Sequence, residues 1–340
     1  MSSLRMTALT RWVAQQHGLD MDEINLQEAG GDASFRRYYR LTLHDGSTRV
    51  VMDAPPEQED STPFVNIAQQ WQAGGLPVPR IFTSNLEEGF LLLEDLGDTP
   101  LQHCFNDPAS VHHHIHNGLT LIGELQNRAS PEPLPRYDAE LLGRELDLFP
   151  TWCLEQWLSM PIPAEWPSLR NALIEQALAQ PFVSVHRDFD AMNLMVHREK
   201  LYMIDFQDAV AGPLSYDVIS LLRGRYWRFS AEEFADAVQR FYQRARQEGR
   251  LTSSIDETTF LGQCQAMAAQ RSLKVLGIFC RLTLRDHKSG YLARLPHFLD
   301  HLEDSLGALP EHAGFAQWVS EQLRPAILQR CAETASTEST

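Results

Sequence analysis

The sequence predicts an α+β fold in two lobes: a small β-rich lobe over residues 1–97, a mainly helical lobe over 98–332, and a disordered tail over 333–340. Three observations lead there. After a short helical stripe near the start, the first 97 residues hold short apolar or alternating runs of strand type with one further helical stretch after the third of them. Beyond them apolar residues recur at helical spacing over long segments. At 340 residues the chain exceeds one ordinary core, so two lobes around a cleft are the expected arrangement.

Leu9, Trp12 and Val13 form a helical stripe that Gly18 ends. Strands are expected at 24–29, 34–43 and 48–53. The stretch PPEQEDSTP reads as a loop, PFVNIAQQWQA as a helix stopped at Gly74 and Gly75, and VPRIFTS and FLLLE as two more strands. In FRRYYRLTL the period-two rule puts Phe35, Arg37, Tyr39, Leu41 and Leu43 on one face and Arg36, Tyr38 and Arg40 on the other. The acidic, glycine-containing EDLGD at 94–98 makes a hinge. Helices follow at 110–128, 138–159, 167–179, 215–226, 231–247, 256–285 and 297–307, with PFVSV, NLMV and LYMI as strands among them. The final ETASTEST is polar and of low complexity, which predicts disorder.

A net charge of −16 supplies no basic stripe for nucleic acid or anionic lipid, so neither is an expected partner. The opening MSSLRMTALTRWVAQQHGL lacks the apolar core of a signal peptide, and no later run reaches the roughly 20 apolar residues of a membrane span, so a cytoplasmic location is expected. Five cysteines, odd in number and never in C-x-x-C spacing, suit a reducing compartment. In VHHHIHNGLTLIGEL, His112 and His116 are four apart, yet Val111, Ile115, Leu119, Ile122 and Leu125 define the buried stripe, leaving the histidines solvated.

Chemistry concentrates in VHRDFDAMNLMV and LYMIDFQDA, which put His186, Asp188 and Asn193 in one short loop and Asp205 at the end of the next apolar run. Strand-type segments flank both, so the polar residues sit at strand ends. Asp188 is the candidate to accept the proton of an attacking hydroxyl. Asn193 offers a neutral oxygen and Asp205 a charged one to Mg²⁺ between phosphates. Asp208 reads equally as a second carboxylate near the metal or as a turn stabiliser.

The pattern H-x-D-x-x-x-x-N followed by apolar-apolar-D-F is the signature set of eukaryotic-like kinases. With GGDASFRRYYR, VVMDAPP, FLLLEDLGD, ELLGRELDLFPTWCLE, IDFQDAVAGPLSYDVISLLRGRYW and SLKVLGIFCRL, the chain resembles the aminoglycoside-phosphotransferase-like branch of the protein-kinase fold. MDAPP and LDLFPTWCLE narrow the likeness to the bacterial anomeric kinases of N-acetylmuramate and N-acetylglucosamine used in cell-wall recycling. The resemblance implies a bilobal kinase that uses ATP and Mg²⁺ to phosphorylate the C1 hydroxyl of an amino sugar. It also places Gly30, Gly31, Asp32, Ala33 and Ser34 in a loop over the phosphates, where glycine lets the backbone approach closely. Glu94, Asp95 and Leu96 become the edge that meets the purine.

The chain departs from that pattern in one respect. The strand that usually supplies a phosphate-binding lysine reads RVVMDAPP, with Met52 in its place, and the following helix contains no acid. Arg37, among apolar neighbours on its strand face, is the sequence-level candidate to replace the lysine. Glu145 and Arg225 are the candidates for sugar contacts: a carboxylate accepts from hydroxyls, and an arginine fork suits a lactyl carboxylate. Two other readings remain open from sequence. One is the same chemistry on an aminoglycoside or choline-like cation, which the acidity favours. The other is a nucleotide-binding regulator without catalysis, which the missing lysine favours and the intact Asp188, Asn193 and Asp205 oppose.

Overall fold

A computed structural model describes residues 3–31 and 35–338. The chain divides into two units, Met1–Asn106 with Met192–Ala209 and Asp107–Ala191 with Val210–Thr340. Relative to the expected boundary at 97/98, the first unit extends to Asn106 and takes in a segment from the middle of the chain. The elements run α1 (Ser3–His17), β1 (Leu26–Gly31), β2 (Arg37–Thr42), β3 (Thr48–Asp53), α2 (Thr62–Ala73), β4 (Ile81–Asn85), β5 (Phe90–Glu94), α3 (Pro108–Arg128), α4 (Ala139–Leu146) and α5 (Trp166–Leu178). They continue as β6 (Phe182–Val185), β7 (Leu194–His197), β8 (Lys200–Met203), β9 (Val210–Pro213), α6 (Tyr216–Leu222), α7 (Ala231–Gln247), α8 (Glu257–Leu284), α9 (Leu295–Gly307), α10 (Ala313–Trp318) and α11 (Arg324–Glu338). This is the α+β division the sequence predicts.

In the first unit an antiparallel sheet of order β1-β2-β3-β5-β4 is covered on one face by α1. Leu9, Trp12 and Val13 of that helix pack on Tyr39, Leu41, Val51, Phe90 and Leu92, which alternate along β2, β3 and β5. Gly18, at φ +62°, stops α1 in the left-handed conformation that glycine adopts without strain. The β4–β5 turn also needs a glycine, because a Cβ at Gly89 would lie 1.8 Å from the Ala54 carbonyl oxygen. The β7–β8 hairpin turns on Arg198 and Glu199, both at positive φ as a two-residue hairpin loop requires. Val196 N–H donates to the Thr99 carbonyl at 2.8 Å and Met203 N–H to that of Pro77 at 2.9 Å, which ties the hairpin into this unit. Phe206 then stacks on Phe64 of α2 with ring centroids 4.8 Å apart.

The second unit is helical around the buried helix α8, with β6 and β9 paired antiparallel. Gly277 of α8 lets the helix lie directly on the backbone at Leu148, where a Cβ would approach within 2.4 Å. The single helix expected over 138–159 is instead α4 followed by a π-helix, Phe149–Leu158. Pro150 has no N–H to continue the α-helical ladder, so the chain restarts there. Helices α10 and α11 were not legible as elements, and α11 runs through much of the tail expected to be disordered, while 339–340 lie outside the described residues.

A charged cluster is buried at the centre of this unit. Glu145, 5% exposed, receives Arg187 Nη2 at 2.8 Å and Lys274 Nζ at 2.9 Å, and Tyr137 donates its hydroxyl to the other carboxylate oxygen. Lys274 also donates to the Tyr216 hydroxyl at 2.9 Å. Burial pushes the Glu145 carboxyl up, but Lys274 and Arg187 outweigh it and hold the group down at about 2. A carboxyl depressed from an ordinary 4.5 contributes stability in full above about pH 4.5 and loses it as pH falls towards 2. Wild type should therefore lose denaturant resistance across that window more steeply than Glu145→Gln. At neutral pH, Lys274→Met should cost about 3–5 kcal/mol by stranding the carboxylate, and Glu145→Gln in the same chain should restore part of it. A double-variant loss equal to the sum of the two single losses would show that the two groups are not coupled.

Candidate active site

A cavity of about 660 Å³ lies within the first unit, large enough for a nucleotide. Tyr38, Val50 and Leu93 line it from the sheet face opposite α1, Glu94, Asp95 and Leu96 from the segment after β5, and Met192, Asn193, Ile204 and Asp205 from the hairpin segment. Arg40 fixes the post-β5 segment, giving Nε and Nη2 to Asp95 at 2.6 and 3.0 Å and both Nη groups to Asp98 at 2.9 Å. Burial raises the Asp95 carboxyl, but Arg40 and the Gly97 N–H lower it further than that. Gly97 turns the chain at φ +79°, and the Leu96 carbonyl accepts from His197 Nδ1 at 3.1 Å. The three residues expected at the purine edge thus line one wall.

Asn193 and Asp205 are brought side by side by the hairpin, since Ile204 N–H donates to the Asn193 carbonyl at 3.0 Å. Asp205 sits at φ +63°, a conformation that costs a non-glycine residue about 1–3 kcal/mol and is held here by its surroundings. Gln207 Nε2 donates to Asp205 Oδ1 at 2.7 Å. Gly30 and Gly31 end β1, after an irregularity in its pairing with β2 between Glu28 and Gly31. Asp32, Ala33 and Ser34 lie outside the described residues.

Arg37 is not on the cavity side. The alternation in β2 is as expected, but the face that carries Tyr39 and Leu41 is the one covered by α1, and Arg37 is exposed beside Tyr39. Tyr38 and Arg40 of the opposite face line the cavity, and Arg36 shares that face and is buried. Alternation fixes which residues stand together, whereas the packing of α1 decides which set faces inward.

In the second unit Asp188 is exposed between the buried His186 and Phe189. The loop backbone is held from behind by Asp217, whose Oδ2 accepts from His186 N–H at 2.7 Å and Oδ1 from Arg187 N–H at 3.0 Å. Burial pushes the Asp217 carboxyl up to about 7, against the two backbone N–H groups that favour its charge. Arg187 is left-handed at φ +78°, and Asp190 N–H closes the turn on the Asp188 carbonyl at 2.8 Å. Arg225 donates Nε to Asp190 at 3.1 Å, which places it against the Asp188 loop, while Arg223 and Arg228 pair with Asp304.

Glu145 does not present its carboxylate to a ligand. It is buried and engaged by Arg187, Lys274 and Tyr137, so it supports the residue before Asp188 instead of accepting from sugar hydroxyls. The sequence held a signal for this: Glu145 falls with Leu142, Leu146 and Phe149 at i, i+3, i+4, i+7 spacing, on the buried stripe. Asp217 escaped sequence reasoning, although it sits in YDVISLL, which is buried throughout. His112, His113 and His116 are exposed, as their helical positions predicted.

The pattern known as the Phosphotransferase enzyme family matches residues 25–252. The chain is 38% identical over 307 residues to an N-acetylmuramate/N-acetylglucosamine kinase of Pseudomonas aeruginosa, covering 89% of each chain. A protein of the same name from Neisseria meningitidis serogroup B is 37% identical, over 82% of this chain and 85% of its own. Among solved structures, Plasmodium vivax ethanolamine kinase superposes with a TM-score of 0.59 at 9% identity over 82% of both chains, a likeness of fold alone. The match across two thirds of the sequence, together with these relatives, leads to one conclusion: the chain belongs to the phosphotransferase enzyme family.

Proposed function

We propose that this kinase transfers the γ-phosphoryl group of ATP to the anomeric hydroxyl of N-acetylmuramate or N-acetylglucosamine in peptidoglycan recycling. The observation that carries the reading is the 38% identity to a kinase of that name over 89% of both chains. The geometry of the motif residues supports it. No helix among the described residues is long and apolar enough to cross a membrane.

Asp188 is the proposed base. It is exposed on a loop whose backbone Asp217 fixes, so its carboxylate can meet a hydroxyl without reorganising the chain. The anomeric oxygen attacks Pγ as the bond from Pγ to the β-phosphate oxygen breaks; Asp188 takes the hydroxyl proton and ADP leaves. A hemiacetal hydroxyl is more acidic than an ordinary alcohol, so one aspartate suffices as base. Asn193 and Asp205 would hold Mg²⁺: one neutral and one charged oxygen fit an ion that takes its other ligands from phosphate and water. When bound, Mg²⁺ neutralises charge on the phosphates. Glu94, Asp95 and Leu96, which line one wall of the cavity, receive the purine, and the family resemblance assigns the phosphates to Gly30 to Ser34. Arg225, oriented by Asp190, is the proposed partner of a lactyl carboxylate.

The product should be a sugar 1-phosphate, shown by phosphorus NMR as coupling between the anomeric proton and phosphorus. The methyl glycoside should not react; phosphate on C6 would reject the anomeric assignment. Asp188→Asn should lower kcat about 10²–10⁴-fold while ATP affinity stays within a few-fold. Retention of more than about a tenth of kcat with both substrates saturating would remove Asp188 from that role. Asp205→Ala should abolish Mg²⁺-dependent tightening of nucleotide binding, and an unchanged Mg·ATP titration would transfer the role to Asp208.

A further inference from the structure

Two pairs of histidines stand four residues apart on one helix, His112 with His116 on α3 and His297 with His301 on α9. The first pair is exposed, and His112 Nε2 meets Glu233 Oε1 at 3.1 Å. In the second, His301 is fully buried and His297 half-buried, and their Nε2 atoms lie 3.0 Å apart. The carbonyl oxygen of Gly224, in the segment after α6, meets both, 2.9 Å from His297 Nε2 and 3.1 Å from His301 Nε2. All three residues belong to the second unit.

These three atoms form a nearly equilateral triangle that hydrogen bonds alone fill poorly. A neutral imidazole has one N–H, so each Nε2 either donates or accepts. With the proton on one Nε2, the other nitrogen and the carbonyl oxygen face each other as two acceptors. With a proton on both, two N–H groups oppose each other and converge on one oxygen. With none, three lone pairs meet. A cation at the centre removes the conflict, because each atom then presents a lone pair to it. His301 Nδ1 has no hydrogen-bond partner among the described residues in any of these states, so it does not decide between them.

The spacing fits a metal ion. Ligands about 2.0–2.1 Å from Zn²⁺ at tetrahedral angles stand about 3.3–3.4 Å apart, a few tenths of an ångström wider than the triangle. Two imidazoles and the carbonyl occupy three positions, and the half-buried side at His297 leaves the fourth to water. No three His, Cys, Asp or Glu side chains among the described residues are set to hold a metal, so here the backbone oxygen completes the set. The neighbouring arginine charge is already offset: Arg223 pairs with Asp304 at 3.2 Å, and Arg228 with Asp304 at 2.8 Å and Asp300 at 3.1 Å.

We propose that His297, His301 and the Gly224 carbonyl form a Zn²⁺ site that joins α9 to the segment after α6. Arg225 follows Gly224 and meets Asp190, whose N–H bonds to the Asp188 carbonyl, so an ion held there steadies the backbone that braces the Asp188 loop. The site is separate from the Mg²⁺ assigned to Asn193 and Asp205, and it stands whether or not the chain acts on a sugar.

Chelator-treated protein should be titrated with Co²⁺ in excess Mg²⁺, which fills oxygen sites and leaves imidazoles free. Wild type should take up one equivalent with the intense visible bands of four-coordinate Co²⁺, and Zn²⁺ should displace it. His297→Gln, at the half-buried position, should weaken uptake by at least about 10–100-fold, the loss that an outer-shell partner alone can cause. Replacing His112 and His116 together by Gln should leave uptake unchanged. Absence of saturable uptake by wild type would overturn the proposal whatever the variants do. Uptake unaltered in His297→Gln, or lost with the α3 histidines, would overturn it as well.

Discussion

The carboxylate of Glu145 draws together two cations from distant parts of the chain, Arg187 of the loop after β6 and Lys274 of α8, inside a shell completed by Tyr137 and Tyr216. A buried cluster of this kind adds little net stability over an apolar core, so its consequence is geometric. It fixes the side chain of Arg187 while Asp217 fixes the backbone N–H groups of His186 and Arg187. A residue held at both ends can remain left-handed, and the strain is borne by the surroundings. The next residue, Asp188, is then exposed in a fixed position, which is what its proposed role as base requires.

The first unit uses the same device. Arg40 spans β2 and the post-β5 segment by binding Asp95 and Asp98. That clamp fixes one wall of the cavity with an arginine fork, whose planar geometry holds direction better than a lysine would. The net charge of −16 is consistent with this economy: cations are few, and those at the cavity are individually oriented.

Much of this was legible in the chain because local chemistry and spacing suffice for it. The strand-end motif singled out Asn193 and Asp205, which line the cavity, and Asp188, which is exposed on its loop; the alternation of FRRYYRLTL correctly sorted its side chains into two sets. It could not say which set faces inward, because that depends on where α1 docks, and Arg37 falls on the α1 face. Glu145 misled for a related reason: a charged residue on an apolar stripe reads as a surface acid until its buried partners, 42 and 129 residues further along, are seen. Strand β9, VAGP, was missed since Gly and Pro resemble a turn, and the pairing that makes it a strand comes from Val183 and its neighbours. The return of Met192–Ala209 to the first unit is set by backbone bonds to Pro77 and Thr99, which no local pattern reveals.

The most direct measurement is a crystal structure of the enzyme with Mg²⁺, a non-hydrolysable ATP analogue and N-acetylglucosamine. The account predicts the C1 hydroxyl oxygen about 2.6–3.2 Å from the Asp188 carboxylate, with that oxygen in line with the bond to be broken at the γ-phosphorus. A complex in which the C6 hydroxyl, or none, meets Asp188 while the nucleotide fills the first-unit cavity would contradict it.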